Sequence, residues 1–166
     1  MTIGKKMQEH INGQINAELY SSYIYLSMAA DCEAKGFPGF GKWMRKQSEE
    51  ETAHAMKLFN FVLDRGGRVE LGAIKKPASS FGTITGMFEQ SLKHERLVTD
   101  MIHKLHGEAV KEKDTATAVM LEWFIEEQVE EEKAATEILD SLKLAEDNPA
   151  ALLMLDREVG AREAAE

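Results

Sequence analysis

Four long stretches of the chain repeat apolar residues every three or four positions, and each stripe is interrupted near its middle by a glutamate. A period of about 3.6 makes each stretch an amphipathic helix. The first carries Ile11, Ile15, Glu18, Ser22, Tyr25 and Ala29 on one face; the second carries Phe40, Met44, Gln47, Glu51, Ala55, Leu58 and Val62. The third carries Ile84, Phe88, Ser91, Glu95, Ile102 and Ala109; the fourth carries Met120, Phe124, Glu127, Glu131, Ala135, Ile138 and Leu142. A buried carboxylate is costly unless something pairs with it. One such group per helix, at matching depth, implies a shared cation site.

The turns test that depth. Gly36, Pro38 and Gly39 break the chain after the first helix, with Glu18 about 18 residues before the break and Glu51 and His54 about 15 and 18 after it. The second pair turns near Lys113, with Glu95 about 18 residues before it and Gln128 and Glu131 about 15 and 18 after it. At a rise of about 1.5 Å per residue, each antiparallel hairpin brings its polar groups within roughly one turn of a common height.

The fold expected is all-α and fills one domain, 1–166, with helices over 5–34, 38–65, 83–111 and 114–143 and a short fifth over 148–160. Between Gly66 and Gly82 the helical period is lost and glycine, serine and Pro77 appear. That length suits a crossover running along a four-helix bundle. Asn148 and Pro149 suit the cap and first position of the last helix. The formal net charge of −9 argues against a general nucleic-acid or anionic-membrane binder. Cys32 is the only cysteine, so no intrachain disulfide forms and a reducing, cytoplasmic setting fits. No apolar run reaches membrane-spanning length, and the N-terminus has no signal-peptide pattern.

Glu51-Thr52-Ala53-His54 places two metal-ligating side chains one turn apart on a helix. Alone the pattern is weak, but here Glu51 points to the core and three further core carboxylates share its level. Inward glutamates with Glu-x-x-His are the donor set of di-iron carboxylate bundles. Four carboxylates balance two divalent ions in a low-dielectric interior. Glu51 has a neighbour on either side and suits a bridge, with Glu18, Glu51 and His54 on one metal and Glu51, Glu95 and Glu131 on the other. Oxygen donors with one imidazole suit Fe(II) or Mn(II) better than a structural zinc. Gln128 faces the second metal, as a weak ligand or as a donor to bound oxygen. Tyr25 either packs in the core, hydrogen-bonds a ligating carboxylate or supplies an electron. Glu50, Glu127, Glu130 and Glu131 form either a third, wetter cation site or a plain acidic face. His10, His94, His103 and His106 are expected at the surface or in packing, and Trp43 and Trp123 in packing, the latter near the site.

QINAELYSSYIYLSMA, FGKWMRKQSEEETAHAMKLFNFVLDRGGRVEL, the helix of Glu95 and WFIEEQVEEE together resemble the non-haem ferritins of bacteria and archaea over nearly the whole chain. The resemblance implies a ferritin-like bundle assembling into a hollow homo-oligomeric shell, usually of twenty-four copies. It implies a ferroxidase centre at Glu18, Glu51, His54, Glu95 and Glu131, with Gln128 and Tyr25 nearby. It also implies a third iron site at Glu50, Glu127, Glu130 and Glu131. The substrates would be Fe(II) with dioxygen or hydrogen peroxide, and the product a stored ferric mineral. The di-iron relatives with a second Glu-x-x-His differ: Val98 and Ala134 stand where that histidine would be. Thr52 stands where bacterioferritins carry a haem-binding methionine, so no haem is expected. Where animal ferritins line a pore with acidic residues, this chain has Thr117, Ala118 and Leu121. Two rivals remain at this point: a di-iron oxidase that stores nothing, and a metal-free structural bundle.

Overall fold

The helix boundaries follow from local chemistry at each end. In the computed structural model, which describes residues 2–162, the elements are α1 (Lys5–Ala34), α2 (Pro38–Asp64), α3 (Ile84–Lys111), α4 (Thr115–Ala145) and α5 (Pro149–Ala161). Thr83 accepts from Gly86 N to cap α3, and Asp114 accepts from Thr117 N to cap α4. Asn148 accepts from Ala150 N and Ala151 N to start α5, with Pro149 in its first turn. These are the side-chain oxygens that satisfy otherwise orphaned helical N–H groups. The start of α2 has no cap of its own; Asp156 of α5 supplies it, accepting from Phe40 N at 2.8 Å.

Helix α4 ends on left-handed Glu146 (φ 47), and the three helices before it end at Gly36 (φ 82), Gly66 (φ 66) and Lys113 (φ 58). At each of these three, two backbone N–H groups fold back onto the last carbonyls, as in Phe37 N to Cys32 O and Asp114 N to Ala109 O, both at 2.9 Å. The first and third reversals make the tight α1–α2 and α3–α4 hairpins. The second launches the crossover.

The crossover lies along α1 and is fastened to it rung by rung. Gln8 Oε1 accepts from Arg68 N, Asn12 Nδ2 donates to Arg68 O, and Asn16 Nδ2 donates to Ala73 O. Further along, Ser27 Oγ donates to Ala78 O, and Asp31 Oδ2 accepts from Phe81 N. A segment without helical period therefore stays ordered because polar residues on α1 satisfy its backbone.

The interior is two apolar cores with a polar layer between them. One core gathers Tyr25, Phe40, Met44, Phe88, Ile138 and Leu142. The other gathers Met7, Ile11, Leu58, Val62, Ile102 and Leu121. Between them lie the buried polar residues Gln14, Glu18, Gln47, Glu51, His54, Ser91, Glu95, Gln128 and Glu131. The expected stripes of α2 and α3 are buried throughout. On α4 the buried seam passes through Leu121 and Gln128, while Met120 and Glu127 sit half-exposed beside it. Ser22 of α1 is likewise half-exposed, because its hydroxyl bonds across to Ser48 O at 2.8 Å at the α1–α2 boundary. Among the described residues, no helix is long and apolar enough to cross a membrane.

Candidate metal centre

Each helix delivers one glutamate to the polar layer. Glu18 comes from α1, Glu51 from α2, Glu95 from α3 and Glu131 from α4, and all four are buried. Ligand atoms of Glu18, Glu51 and His54 lie within 4.8 Å of one another, as do those of His54, Glu127 and Glu131. The two clusters share His54. Its Nδ1 is 3.6 Å from Glu51 Oε2, and its Nε2 is 3.8 Å from Glu127 Oε2. A neutral imidazole has one lone pair and one N–H. If Nδ1 turns its lone pair to a metal on Glu51, Nε2–H is left to donate toward Glu127, which fixes the ring.

The oxygens of Glu51 and Oε2 of Glu18 are buried and meet no hydrogen-bond donor. Buried polar atoms are rarely left so, because each carries the full desolvation penalty. A cation between Glu18, Glu51 and His54 would supply the missing partner, and hard oxygen donors with one nitrogen suit a divalent transition ion.

The other two glutamates are held by neighbours. Glu95 Oε1 accepts from the Tyr25 hydroxyl, and Oε2 accepts from Gln128 Nε2 at 3.2 Å. Glu131 Oε2 accepts from Gln47 Nε2 at 2.5 Å. Among the described residues Glu95 thus joins no three-donor cluster, although its charge bears on Glu51. Burial and the charges of Glu95 and Glu18 push the Glu51 carboxyl well above its ordinary value. Burial raises Glu95 to about 7, against the lowering by Tyr25 and Gln128, and raises Glu131 to about 8. The cause is the same in each: charged carboxylates crowded out of water. Burial holds His54 below its ordinary value, keeping it neutral and fit to ligate.

Outside the layer, a groove of about 820 Å³ between α2 and α4 carries Glu50, Glu127, Glu130, Glu131 and His54 on its walls. Burial raises the carboxyl of Glu50, with Glu127 adding to the shift and Lys46 opposing it. Trp123 lines this groove, stands edge-on to His54 with centroids 5.5 Å apart, and lies under Lys57 Nζ at 4.1 Å. It packs against the imidazole of His54 as well as lining the groove. His94 is half-buried, with Nε2 2.7 Å from Ser21 Oγ.

Two partners in the layer are not assigned by the sequence: Gln14 lies off the expected stripe of α1, and Gln47 lies on that of α2 without a role. Gln14 Nε2 donates to Glu18 Oε1 at 2.7 Å, and Gln47 reaches Glu131. Their signal was present: each lies one turn before a core glutamate of its own helix, as Gln128 does before Glu131.

The profile of the Ferritin-like domain matches residues 8–145. The chain belongs to the ferritin family. It is similar to the bacterial non-heme ferritin of Bacteroides fragilis (strain 638R), 41% identical over 160 residues that cover 96% of this chain and 99% of that one. A probable bacterial non-heme ferritin-like protein of Haemophilus influenzae is 36% identical over 150 residues, 90% of this chain and 91% of the relative. Among solved structures, the open pore ferritin from the hyperthermophilic archaeon Archaeoglobus fulgidus is similar with a TM-score of 0.96 and 48% identity, covering 98% of this chain and 100% of that one. The four-helix bundle with a long crossover and short fifth helix is therefore the ferritin fold, and the mixed Glu and His clusters sit at the centre of a ferritin bundle.

Proposed function

We propose that this ferritin stores iron by oxidising it first. Fe(II), the substrate, is held by Glu18, Glu51, His54, Glu95 and Glu131. It is oxidised to Fe(III) and deposited as ferric oxyhydroxide inside a hollow shell of identical subunits, twenty-four in number, in the cytoplasm. The observation that carries this reading is the set of buried oxygens on Glu51 and Glu18 with no hydrogen-bond partner. A metal-free structural bundle gives those atoms no role.

The protein's part is binding and charge balance. Four carboxylates offset the charge of two Fe(II) ions in a buried site of low dielectric. Each Fe(II) gives one electron to the oxidant, dioxygen or hydrogen peroxide. With dioxygen, two Fe(II) and four waters yield two ferric oxyhydroxide units, one hydrogen peroxide and four protons. Carboxyls raised by burial carry protons in the metal-free chain and release them as the cation arrives. Tyr25 stays protonated, since burial and the charges of Glu95 and Glu51 push it well above its ordinary value, and so acts as a fixed donor to Glu95. Gln128 and Gln47 hold Glu95 and Glu131 in place, and ferric product leaves over Glu131, Glu130 and Glu127 into the α2–α4 groove, where Glu50 completes a third iron site.

Aerobic loading with excess Fe(II), followed by size separation with iron and protein read together, tests this. Ferric iron co-eluting with a particle of very large mass is expected. Oxidised iron that precipitates while the protein elutes small would replace storage by a bare di-iron oxidase, and no acceleration over buffer would remove the oxidation itself.

A further inference from the structure

The polar layer is reached from two sides of the bundle. The groove between α2 and α4 ends on His54 and Glu131. On the side of α1 and α3 lies a separate hollow of about 360 Å³. Its mouth carries Glu9, His10, Lys104 and Glu108, Gly13 forms part of its wall, and Gln14 lines it too. Gln14 is buried, and its Nε2 donates to Glu18 Oε1 at 2.7 Å. Gln14 therefore touches both the hollow and Glu18, and the second oxygen of that glutamate has no partner.

Gly13 is exposed and lines the hollow next to Gln14. It lies in the interior of α1, and a Cβ built on it would meet nothing within 4 Å. A longer side chain there would extend into the hollow. Gln14 has a neutral amide with a donor end and an acceptor end. With the donor end on Glu18 it closes the path. Turned over, it offers a carbonyl oxygen to a passing cation, the donor type that hard divalent ions accept.

We propose that the α1–α3 hollow is an inlet for divalent metal cations, which pass over Gly13 and past Gln14 to Glu18. Cations then arrive through one face of the subunit, and oxidised product leaves through the other by the α2–α4 groove. This inlet rests on the metal-binding reading of the centre but is a separate claim about the route.

The test uses the assembled protein with two probes: Co(II), whose visible absorption reports binding without oxidation, and Fe(II) with dioxygen. Gly13→Leu places a strong helix former across the hollow, and Gly13→Ala is the control that strengthens the helix with little occlusion. In stopped flow, Gly13→Leu is expected to slow Co(II) arrival and Fe(II) oxidation severalfold with the same number of ions bound at the end. Gly13→Ala is expected to keep the wild-type rate. Equal rates for Gly13→Leu and wild type would overturn the inlet. So would a slow variant that also binds fewer ions, since occlusion would then have damaged the centre. A wild-type protein that takes up Co(II) but does not oxidise Fe(II) would end the oxidation reading, and the Co(II) rates would still decide the route. No uptake of Co(II) at all would overturn both.

Discussion

Tyr25 of α1 donates its hydroxyl to Glu95 of α3, with Ser91 Oγ 2.9 Å from the same hydroxyl. The bond spans the polar layer and the edge of the Phe88 core, and Tyr25 is fully buried. It lowers the pKa of a carboxyl that burial has raised to about 7. Tyr25→Phe removes the donor and leaves the ring. Glu95 then holds its proton to higher pH, so a metal must compete with that proton more strongly. The variant should lose about 1–3 kcal/mol of stability, as for a buried hydrogen bond to a charged acceptor. Its pH profile of Fe(II) oxidation should shift to higher pH. An unmoved profile would show that Tyr25 acts elsewhere than on Glu95.

The same carboxyls set how the metal-free protein responds to pH. Folded Glu95 and Glu131 keep protons to about 7 and about 8, while an unfolded glutamate releases its proton near 4.5. The folded state therefore binds more protons than the unfolded state in that window, and stability falls as pH rises through it. His54 and His94, held low by burial, oppose this only below 6.5. Calorimetry of chelator-treated protein should show Tm falling between pH 6.5 and about 8. A redox-inert divalent ion should raise Tm more at the upper end of that range than at the lower. A flat or rising Tm without metal would contradict the assigned burial of these groups.

Glu51 is the residue whose position makes least sense without a cation, since neither carboxylate oxygen has a partner. Glu51→Met replaces it by an apolar side chain of similar length. In the absence of metal the variant should be more stable than wild type by about 1–3 kcal/mol, the penalty of an unsatisfied buried polar group. It should also lose accelerated Fe(II) oxidation. Such a gain in stability with loss of activity is the signature of a functional site. Wild-type oxidation rates in this variant would sink the assignment of Glu51 as a ligand.

Much of this arrangement could be read from spacing, because helical period and turn positions are local properties. Glu18, Glu51, Glu95 and Glu131 each interrupt an apolar stripe, and the distances to Gly36 and Lys113 put them at one level before any contact was known. The pairing inside the layer was less legible. Which oxygens Gln14, Gln47 and Gln128 satisfy depends on rotamers across helices, and sequence spacing does not encode them. The division of His54 between Glu51 and Glu127 is hidden for the same reason. The seam of α4 was read one position off at Met120 and Glu127, where acidic residues at Glu126, Glu127, Glu130 and Glu131 blur the period and leave Gln128 as the buried member. The docking of α5 was open in the sequence, since Leu152, Leu153 and Leu155 suit either a bundle end or a symmetry axis. Within the subunit Leu152 and Leu155 pack, partly buried, against the Phe88 core beside the fully buried Asp156 and Val159, while Leu153 is exposed.

That docking makes a last prediction. Gly39 in the first turn of α2 and Gly160 of α5 face each other at backbone distance: a Cβ on Gly160 would lie 2.6 Å from Gly39 Cα, and one on Gly39 would lie 1.7 Å from the Asp156 carbonyl oxygen. Neither atom can yield without moving a helix. Gly39→Ala therefore pushes α5 off α2 and withdraws the Asp156 cap from Phe40 N, one of the few polar ties holding the helix. The expected loss is about 1–3 kcal/mol from overpacking, plus about 1 kcal/mol for the cap. Asp156→Ala separates the two, since it removes the cap and leaves the glycine contact. Limited proteolysis should cut Gly39→Ala first at the α4–α5 link, where Glu146 and Asp147 already hold positive φ values of 47 and 56. Val159 of α5 and Arg162, the residue that follows the helix, also line the α2–α4 groove. Displacing α5 should therefore widen the product side of the centre while leaving initial Fe(II) oxidation close to wild type. A slowed first turnover in Gly39→Ala would mean that α5 supports the centre itself as well as the wall of its exit.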